Sequence, residues 1–422
     1  MLDIKFIREN KELIASAAKK KHIEFNVEEL VSVDDKRRSL LSLIEGKRAE
    51  QNIFNTKITE AGDPETRERF IAEMKLLKDD LQGQEKELKE ILKKWQTLMV
   101  AVPNVPDVSV PDGLNDEDNK EVKTWGKRAD FSFIPKSHIE IMESLDMLDL
   151  ERGSKVAGFR GYILKNDAVL LNFALWQAAL AHFLGKGFSP MMVPSLVRRE
   201  LLIGSGYLPQ GEEDLYKTQD SEYLAGTSEV AMMGYYADEV IPKEKLPSKF
   251  LAFSPCFRRE AGSHGKDTKG IFRVHEFFKL EQVIFSEASH EESVKWHEWL
   301  NRNTEEFMEA LGLPYRTVVN CGGDLGLGQV KKYDIDLWVP SEGKYREISS
   351  ASYFHDFQTR RLNIRYKDTD GKTKFVHSLN CTALPSPRVL ISLIENYQQA
   401  DGTVIVPPLL EKYLGKKILG RK

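Results

Sequence analysis

A stripe of apolar residues recurs every three or four positions through residues 70–98 and constrains this stretch to one long helix. The stripe consists of Phe70, Met74, Leu77, Leu81, Leu88, Ile91, Trp95 and Leu98, and Gln84 interrupts it. Such spacing is a heptad seam, which packs against a second helix. An earlier apolar series contains Leu40, Leu41, Ile44, Ile53, Phe54 and Ile58. Because Gly62-Asp63-Pro64 separates the two series with residues that end helices and start turns, the sequence predicts an antiparallel coiled-coil hairpin.

The length and surface charge of this hairpin bear on its role. At 1.5 Å per residue, two helices of roughly 33 residues each reach on the order of 50 Å, so we expect the hairpin to project beyond a globular body. Its faces mix lysines and arginines with nearly as many acids, a pattern that is usually a solvated surface. Residues 1–18 are predicted to form a further helix that packs at the base of the hairpin.

Composition excludes several classes of protein. With 422 residues, 41% of them hydrophobic, the chain can form two or three domains with sizeable cores. It contains no run of eighteen apolar residues, and its first ten residues are charged, so we expect neither a membrane span nor secretion but a cytoplasmic location. The net charge of −4 argues against a general nucleic-acid coat protein. Because Cys256, Cys321 and Cys381 lie far apart, we expect reduced thiols rather than disulfides or a zinc site.

A proline-punctuated segment marks the boundary between two domains. Prolines at positions 103, 106 and 111 precede a short acidic run, and beyond residue 125 strand-like and helical segments mix without regular βαβ alternation. We therefore predict a helical arm at 1–105, a linker at 106–124 and an α+β domain around an antiparallel sheet at 125–422. The sequence has no GxGxxG or GxxxxGK[ST] motif, so a Rossmann-type or Walker-type enzyme is not expected.

The segment 257–281 has the most specific chemistry. Two strand-like runs, 250–257 and 271–284, flank a loop rich in glycine and charge, which predicts a hairpin. Arg258 and Arg273 are suited to bidentate contact with phosphate oxygens, and neighbouring phenylalanines offer a surface for a base. Glu260 and Glu281 are acceptors for an amine. These groups fit a nucleoside triphosphate and an amino acid. The alternative is that both arginines form salt bridges with the two glutamates on a solvated hairpin.

This segment, Phe-Arg-x-Glu followed by a loop and an Arg-x-x-x-Phe strand, resembles motif 2 of the class II aminoacyl-tRNA synthetases. That resemblance requires two further motifs, and both are present in order. Residues 187–194 resemble motif 1, which in the family builds a dimer interface. Residues 379–388, followed by a helix, resemble motif 3 and end in Arg388. The resemblance implies an antiparallel-sheet catalytic domain.

The helical arm and four local segments together make the whole chain similar to the bacterial type of seryl-tRNA synthetase. The segments are 225–229, 257–262, 347–350 and 380–388. The resemblance implies a homodimer that activates L-serine with ATP to seryl-adenylate and transfers serine to tRNA(Ser). It leaves open whether tRNA(Sec) is charged as well. The nine histidines include no HExxH motif or paired ligand spacing, so the expected metal is Mg²⁺ brought in with the ATP phosphates.

The same resemblance assigns the site residues. Serine is expected to contact Thr227, Ser228, Glu229, Glu281 and Thr382. ATP is expected to contact Arg258, Arg259, Glu260, the backbone of Val274, Phe277, Glu347, Ile348, Ser349, Ser350 and Arg388. Within this set, Arg258 faces the α-phosphate, Phe277 stacks on the base, Arg388 faces the terminal phosphate, and Glu347 and Ser350 hold Mg²⁺. Arg258, Arg388 and Glu347 are the expected catalytic residues.

The chain departs from the family pattern at two places, and two rival functions stay open. Ala225 stands where relatives often have threonine, and Cys381 with Pro385-Ser386-Pro387 is a variant of motif 3. One rival is a synthetase-like ligase that loads a carrier protein, but such relatives lack the long hairpin. The other is an inactive paralogue that acts as a coiled-coil interaction protein. Loss of Arg258, Glu281 or Arg388 would favour it, and all three are present.

Overall fold

The chain forms two compact units in this structure, a computed structural model that describes residues 1–262, 265 and 267–420. The first unit comprises Met1–Lys19 and Ile23–Pro103, and the second comprises Lys20–His22 and Asn104–Lys422. The segment predicted as a linker, 106–124, belongs to the second unit, where its last residues begin strand β1 at Lys120.

The first unit consists of four helices, and three of them begin at a residue whose side chain caps the helix. They are α1 (Ile4–Glu9), α2 (Lys11–Lys20), α3 (Val27–Glu60) and α4 (Pro64–Ala101). Asn26 caps α3, and Asp63 caps α4 by accepting from the Thr66 amide, with Pro64 at the first helical position. The prediction of a single helix over residues 1–18 is wrong. Asn10 ends α1 because its side-chain amide donates to the Phe6 carbonyl, in competition with the helical backbone.

The predicted seam is present between α3 and α4. Met74 and Leu81 are buried and every other position of the stripe is at least half-buried, whereas the positions between them are exposed except for Leu92. Ion pairs across the hairpin, Lys47–Asp80 and Arg48–Glu85, flank this seam. The prediction of a long antiparallel helical hairpin is confirmed, because the heptad spacing leaves one stripe per helix to be buried.

The second unit is a mixed domain around an eight-stranded sheet. Its helices are α5 (His138–Ser144), α6 (Leu150–Ala157), α7 (Asp167–Gly185), α8 (Arg199–Ser205), α9 (Ser228–Tyr235), α10 (His290–Ala310), α11 (Phe357–Arg361), α12 (Arg388–Asn396) and α13 (Pro408–Leu414). Its strands are β1 (Lys120–Trp125), β2 (Leu148–Asp149), β3 (Ile163–Leu164), β4 (Ser189–Met192), β5 (Leu196–Val197), β6 (Tyr216–Lys217), β7 (Tyr223–Leu224), β8 (Val240–Pro242), β9 (Ser248–Phe257), β10 (Glu276–Ser286), β11 (Tyr315–Val319), β12 (Lys331–Val339), β13 (Lys344–Tyr353), β14 (Arg365–Lys367), β15 (Thr373–Phe375), β16 (His377–Ser386), β17 (Val404–Ile405) and β18 (Ile418–Leu419).

The main sheet has the order β1-β11-β12-β13-β16-β10-β9-β4 and is antiparallel except for the pairing of β4 with β9. The largest core cluster joins this sheet to helices α5, α7, α10, α12 and α13. The α+β, antiparallel architecture agrees with the sequence prediction. Three adjacent strands, β13, β16 and β10, carry seven of the fifteen residues expected in a site, and three more follow the end of β9.

Two details differ from the sequence prediction or qualify it. The second strand of the 250–284 hairpin begins at Glu276, not at position 271. Before that strand begins, Ile271, Phe272 and Val274 pack in the core, and Arg273 contacts two carboxylates of the loop.

Of the helices in the described residues, α7 alone is long and apolar enough to cross a membrane by length and composition, and much of it is buried in the main core.

Candidate active site

Two neighbouring strands and the start of one helix bring the predicted serine residues together. Glu281 lies on β10 and Thr382 on β16, and these two positions are cross-strand partners in the sheet. Helix α9 packs against β9 and β10, and its first turn contributes Thr227, Ser228 and Glu229. We call Thr227, Glu229, Lys279, Glu281 and Thr382 the carboxylate cluster. All five side chains are buried.

Glu229 has only neutral hydrogen-bond donors around its carboxylate among the described contacts. The Tyr207 hydroxyl donates to Oε2 at 2.8 Å, and the Gln358 amide donates to Oε1 at 2.6 Å. Burial raises the pKa of Glu229, and the nearby carboxylate of Glu281 raises it further. Lys279 is close enough to oppose this rise in part, but it does not contact Glu229 among the described residues. A buried carboxylate whose hydrogen-bond donors are all neutral attracts an incoming cation.

Glu281, in contrast, has a cation built into the protein. Lys279, two residues earlier on the same strand and therefore on the same face, forms an ion pair with Glu281 and also donates to the Thr227 hydroxyl at 2.8 Å. Burial raises the pKa of Glu281, whereas Lys279 and the nearby side chain of Thr382 lower it. The Thr227 hydroxyl also accepts from the Glu229 amide at 3.3 Å, so Lys279 links strand β10 to the start of α9.

Ser228 lies beside the cluster but its side chain turns away. Its hydroxyl donates to the Ala252 carbonyl of β9 at 3.3 Å. Because that side chain is buried against the sheet, the remaining group that Ser228 offers to a ligand is its backbone at the helix start.

A second region is an open cavity of about 730 Å³ that is lined by both basic and acidic residues. Its lining includes Asp267, Phe272, Arg273, Arg316, Lys332, Asp334, Asp336, Arg346, Glu347 and Arg388. We call it the arginine-lined cavity. Its three arginines nearest to motif 2 are Arg273, Arg346 and Arg388.

Carboxylates and an aromatic ring hold these arginines in place. Asp267 accepts from Arg346 at 2.7 Å and from Arg273 at 3.3 Å. Phe272 lies between two guanidinium groups, with Arg346 at 3.6 Å and Arg388 at 4.6 Å from its ring centroid. Arg388 also donates to the Phe272 carbonyl at 3.3 Å and to the Glu347 carbonyl at 3.1 Å. The forks are therefore oriented by the protein itself.

A β-bulge sets the direction of Glu347 and Ser350. In a regular strand, residues three apart point to opposite faces. Here Glu347 pairs with Asp336 and Ser349 pairs with Ile335, so one extra residue, Ile348, is inserted between them. Glu347 and Ser350 therefore lie on the same face of the sheet as their cross-strand partners on β12, Asp336 and Asp334. Ile348 packs in the main core, and the Ser349 hydroxyl donates to the Thr382 carbonyl at 2.6 Å.

The remaining motif 2 residues lie between the two regions. Arg258 donates to the Gly226 carbonyl at 3.4 Å, and its guanidinium is 5.3 Å from the ring centroid of half-buried Phe277. The backbone amide of Arg259 donates to the Asp214 carbonyl at 2.9 Å. Val274 is buried in the core.

Glu260 accepts from Arg273 at 2.8 Å. For Arg273, the salt bridge that the alternative interpretation predicted is thus present. Positions 263, 264 and 266 of the loop lie outside the described residues.

Comparison with known proteins decides between the remaining functions. Residues 214–397 match the model of the tRNA synthetase class II core domain for glycine, histidine, proline, serine and threonine. Residues 1–106 match the model of the seryl-tRNA synthetase N-terminal domain. A serine–tRNA ligase of Deinococcus radiodurans is 44% identical over 423 residues, covering 100% of this chain and 99% of that protein.

The chain belongs to the seryl-tRNA synthetase family. It is accordingly an ATP-dependent ligase of class II. The serine–tRNA ligase of Thermodesulfovibrio yellowstonii is also similar, at 43% identity over 99% of this chain and 100% of that protein. The structure of seryl-tRNA synthetase from Pyrococcus horikoshii complexed with ATP superposes with a TM-score of 0.91, at 38% identity and full coverage of both chains. The cytoplasmic serine–tRNA ligase of Naegleria fowleri in complex with AMP gives 0.88 at 30% identity, covering 100% of this chain and 99% of that one.

In this seryl-tRNA synthetase family member, sequence reasoning missed several residues that hold the site. Lys279, Tyr207 and Gln358 contact the two buried glutamates, and Arg346 shares Asp267 with Arg273. The sequence does contain a signal for Lys279, because it lies two positions before Glu281 in a predicted strand and therefore on the same face. Tyr207 and Gln358 are far from Glu229 in sequence and carried no such signal. Among the described residues, no group of three or more His, Cys, Asp and Glu side chains could hold a metal on its own.

Proposed function

We propose that the carboxylate cluster and the arginine-lined cavity are the serine and ATP sites of a serine–tRNA ligase. The observation that carries this proposal is the contrast between them. One is a buried pair of glutamates with a single lysine, and the other is an open cavity with three oriented arginines. An amino acid brings an ammonium group to the first, and a triphosphate brings negative charge to the second.

Within the serine site, Glu229 receives the ammonium group because its existing donors are neutral. Glu281 already has Lys279, so it accepts from the serine hydroxyl, together with Thr382. Thr227 and the backbone of Ser228 complete the pocket. Alanine is rejected because the partners of the missing hydroxyl stay buried and unpaired, at about 1 to 3 kcal/mol each.

Within the ATP site, Arg258 faces the α-phosphate, Phe277 stacks on adenine and the Val274 backbone contacts the base. Arg259 and Glu260 flank the nucleotide, and Arg388 faces the terminal phosphate. Ile348 and Ser349 hold the bulge that turns Glu347 and Ser350 toward the cavity.

Glu347 and Ser350 would hold Mg²⁺ that arrives with ATP. A carboxylate and a hydroxyl on one face are suitable oxygen donors, and the side chain of Glu347 is half exposed. When bound, the ion neutralises phosphate charge. The two residues contribute only part of a coordination shell, which suits an ion that keeps phosphate and water ligands.

The reaction needs no nucleophile from the protein. The serine carboxylate attacks the α-phosphorus in line, the bond to the bridging oxygen breaks, and pyrophosphate leaves with the electron pair. Arg258 neutralises charge that develops on the α-phosphate. In the second step the 3′-hydroxyl of tRNA(Ser) attacks the carbonyl of seryl-adenylate, and AMP leaves. The contribution of the protein is to position reactants in a fixed electrostatic field.

The helical hairpin α3–α4 serves tRNA in this proposal, because a rigid rod with mixed charge can follow the shape and backbone of double-stranded RNA. We also propose a homodimer formed through the motif 1 region. In that region β4 is an edge strand with exposed Met192, and α7 exposes Leu170 and Phe173. Translation places the enzyme in the cytoplasm.

The test is ATP–pyrophosphate exchange with serine, threonine, alanine and glycine, repeated on a chain that lacks residues 30–100. We expect exchange with serine alone, in both proteins, and aminoacylation of tRNA(Ser) only by the full chain. Exchange with none of the four amino acids would refute the adenylation reaction and favour the inactive paralogue. Undiminished aminoacylation without the hairpin would refute its role with tRNA.

A further inference from the structure

We infer that Lys279 is a positioning residue for serine recognition: it joins Glu281 to Thr227 and supplies the fixed positive charge that keeps Glu281 a hydrogen-bond acceptor. This inference rests on the proposed serine site. It extends that site to a residue that contacts its walls instead of the substrate.

The Lys279 ammonium group has two polar partners among the described residues. Its side chain is 7% exposed, so it is not a surface lysine that meets its neighbours by chance. One contact is the ion pair with Glu281, and the other is the hydrogen bond to the Thr227 hydroxyl at 2.8 Å. Because Thr227 caps α9, Lys279 fixes the distance between the strand that carries Glu281 and the helix that carries Glu229.

The charges of the surrounding groups show why a fixed cation is needed. The titratable and charged groups that act on Glu281 come from strands β9, β10 and β16, from helix α9 and from the loops after α8 and β9: Cys256, Lys279, Cys381, Glu229, Tyr207 and Arg258. Burial and Glu229 both favour the protonated form of Glu281. Only Lys279 and Arg258 oppose them among these groups, and Lys279 alone is in direct contact.

A protonated Glu281 would lose its function in the proposed site. A carboxylic acid offers a donor where the serine hydroxyl requires an acceptor, and the substrate would then leave a buried group unpaired. Without the lysine, two buried carboxylates face each other, and one of them takes a proton. Serine binding would then require that proton to leave.

Lys279→Gln is the decisive variant, because glutamine can still donate to Thr227 but has no charge. The Michaelis constant for serine is measured by ATP–pyrophosphate exchange between about pH 6 and about pH 9, as the ratio of variant to wild type. The ratio cancels titration of free serine and of ATP. Loss of the lysine raises the pKa of Glu281, so serine binds poorly at low pH and better as the carboxylate forms. We expect the ratio to be at least about tenfold at pH 6 and to fall by up to about tenfold per pH unit as pH rises.

Two matched variants separate this effect from a merely structural one. Glu281→Gln and the double variant Lys279→Gln/Glu281→Gln should both raise the Michaelis constant for serine by a factor that does not change with pH. A flat ratio for Lys279→Gln would overturn the inference, and so would a pH-dependent ratio in the double variant, because the titrating group would not be Glu281. The Michaelis constant for ATP should stay within about twofold of wild type in all three.

Folding of the variants is itself informative. If Lys279→Gln does not fold, the double variant decides, because it removes both charges of the Lys279–Glu281 pair together. Recovery of folding in the double variant supports pairing with Glu281, and failure of both overturns the inference. Wild-type exchange with serine is measured alongside. Its absence would refute the proposed function, whereas a flat ratio with an active wild type refutes only the role of Lys279.

Discussion

Replacing Glu229 by glutamine should stabilise the protein and at the same time strongly weaken its affinity for serine. Glutamine has the same shape, and its carbonyl oxygen can keep the hydrogen bond from Gln358. Its amide can donate to the oxygen of Tyr207, which accepts as readily as it donates. The substitution therefore removes one buried negative charge and keeps one hydrogen bond to each of the two neighbouring side chains.

The gain in stability follows from the environment of the carboxylate. A buried ion costs several kcal/mol of desolvation. Two hydrogen bonds to a charged group return about 1.5 to 3 kcal/mol each. Repulsion from Glu281 adds to the cost and attraction to Lys279 reduces it, so we expect a net gain from glutamine on the order of 1 kcal/mol near pH 8, or a few degrees in Tm.

The pH dependence of this gain has a definite sign. Folding raises the pKa of Glu229, so the folded state binds the proton more tightly than the unfolded state. The ionised group destabilises the protein above the raised pKa, and this destabilisation disappears as pH falls below the usual value of about 4.3. The advantage of Glu229→Gln should therefore be largest near pH 8 and vanish toward about pH 4.

The loss of binding is the opposite of the gain in stability. An ammonium group without its buried carboxylate partner loses about 2 to 5 kcal/mol. The Michaelis constant for serine should then rise between roughly thirtyfold and a few thousandfold. Thermal unfolding with and without serine, at about pH 8 and about pH 5, and serine-dependent exchange measure both effects. A variant that is less stable than wild type at pH 8, or that binds serine normally, would refute the assignment of Glu229 as an uncompensated buried anion.

Two further predictions concern the helical seam and the surroundings of motif 2. Leu81→Ala should destabilise the hairpin by about 2 kcal/mol, seen as an earlier helical transition in circular dichroism, and reduce tRNA charging but not exchange. Leu76→Ala, whose leucine is 72% exposed, should change neither. Gly226→Ala would place a methyl group 3.2 Å from the Arg258 side chain and should lower kcat/KM for ATP by about tenfold to a hundredfold. Gly83→Ala, in open space, is the control, and an equal loss there would refute the steric explanation.

Features set by local periodicity were predictable from the sequence. The apolar stripe through Met74 and Leu81 predicted the hairpin correctly, because helix packing requires one buried face per helix. The strand-like runs around the motif 2 loop gave β9 and β10, although the second run was placed five residues too early. That error arose because an apolar run can enter a core without joining a sheet, as Ile271 and Phe272 do.

Features set by long-range pairing were not predictable. The resemblance named Glu347 and Ser350, but their spacing of three in a strand would place them on opposite faces. Only the pairing with β12 reveals the bulge at Ile348 that turns both to one side. Likewise, Glu229 meets Gln358 across 129 residues of chain. No periodicity in the sequence encodes such a contact.

The two regions of the site differ in how their charges are balanced before any substrate binds. Arg273 and Arg346 already share Asp267, and Arg273 also pairs with Glu260, so these forks are held in place before any phosphate arrives. Glu229 has no such counter-ion among its described contacts and depends on the substrate for one. The nucleotide side is therefore preorganised, whereas the serine side stores unfavourable charge that the correct ligand neutralises. A pocket of that kind discriminates through the ammonium and hydroxyl groups together, because a ligand that lacks either one leaves a buried acceptor without its partner.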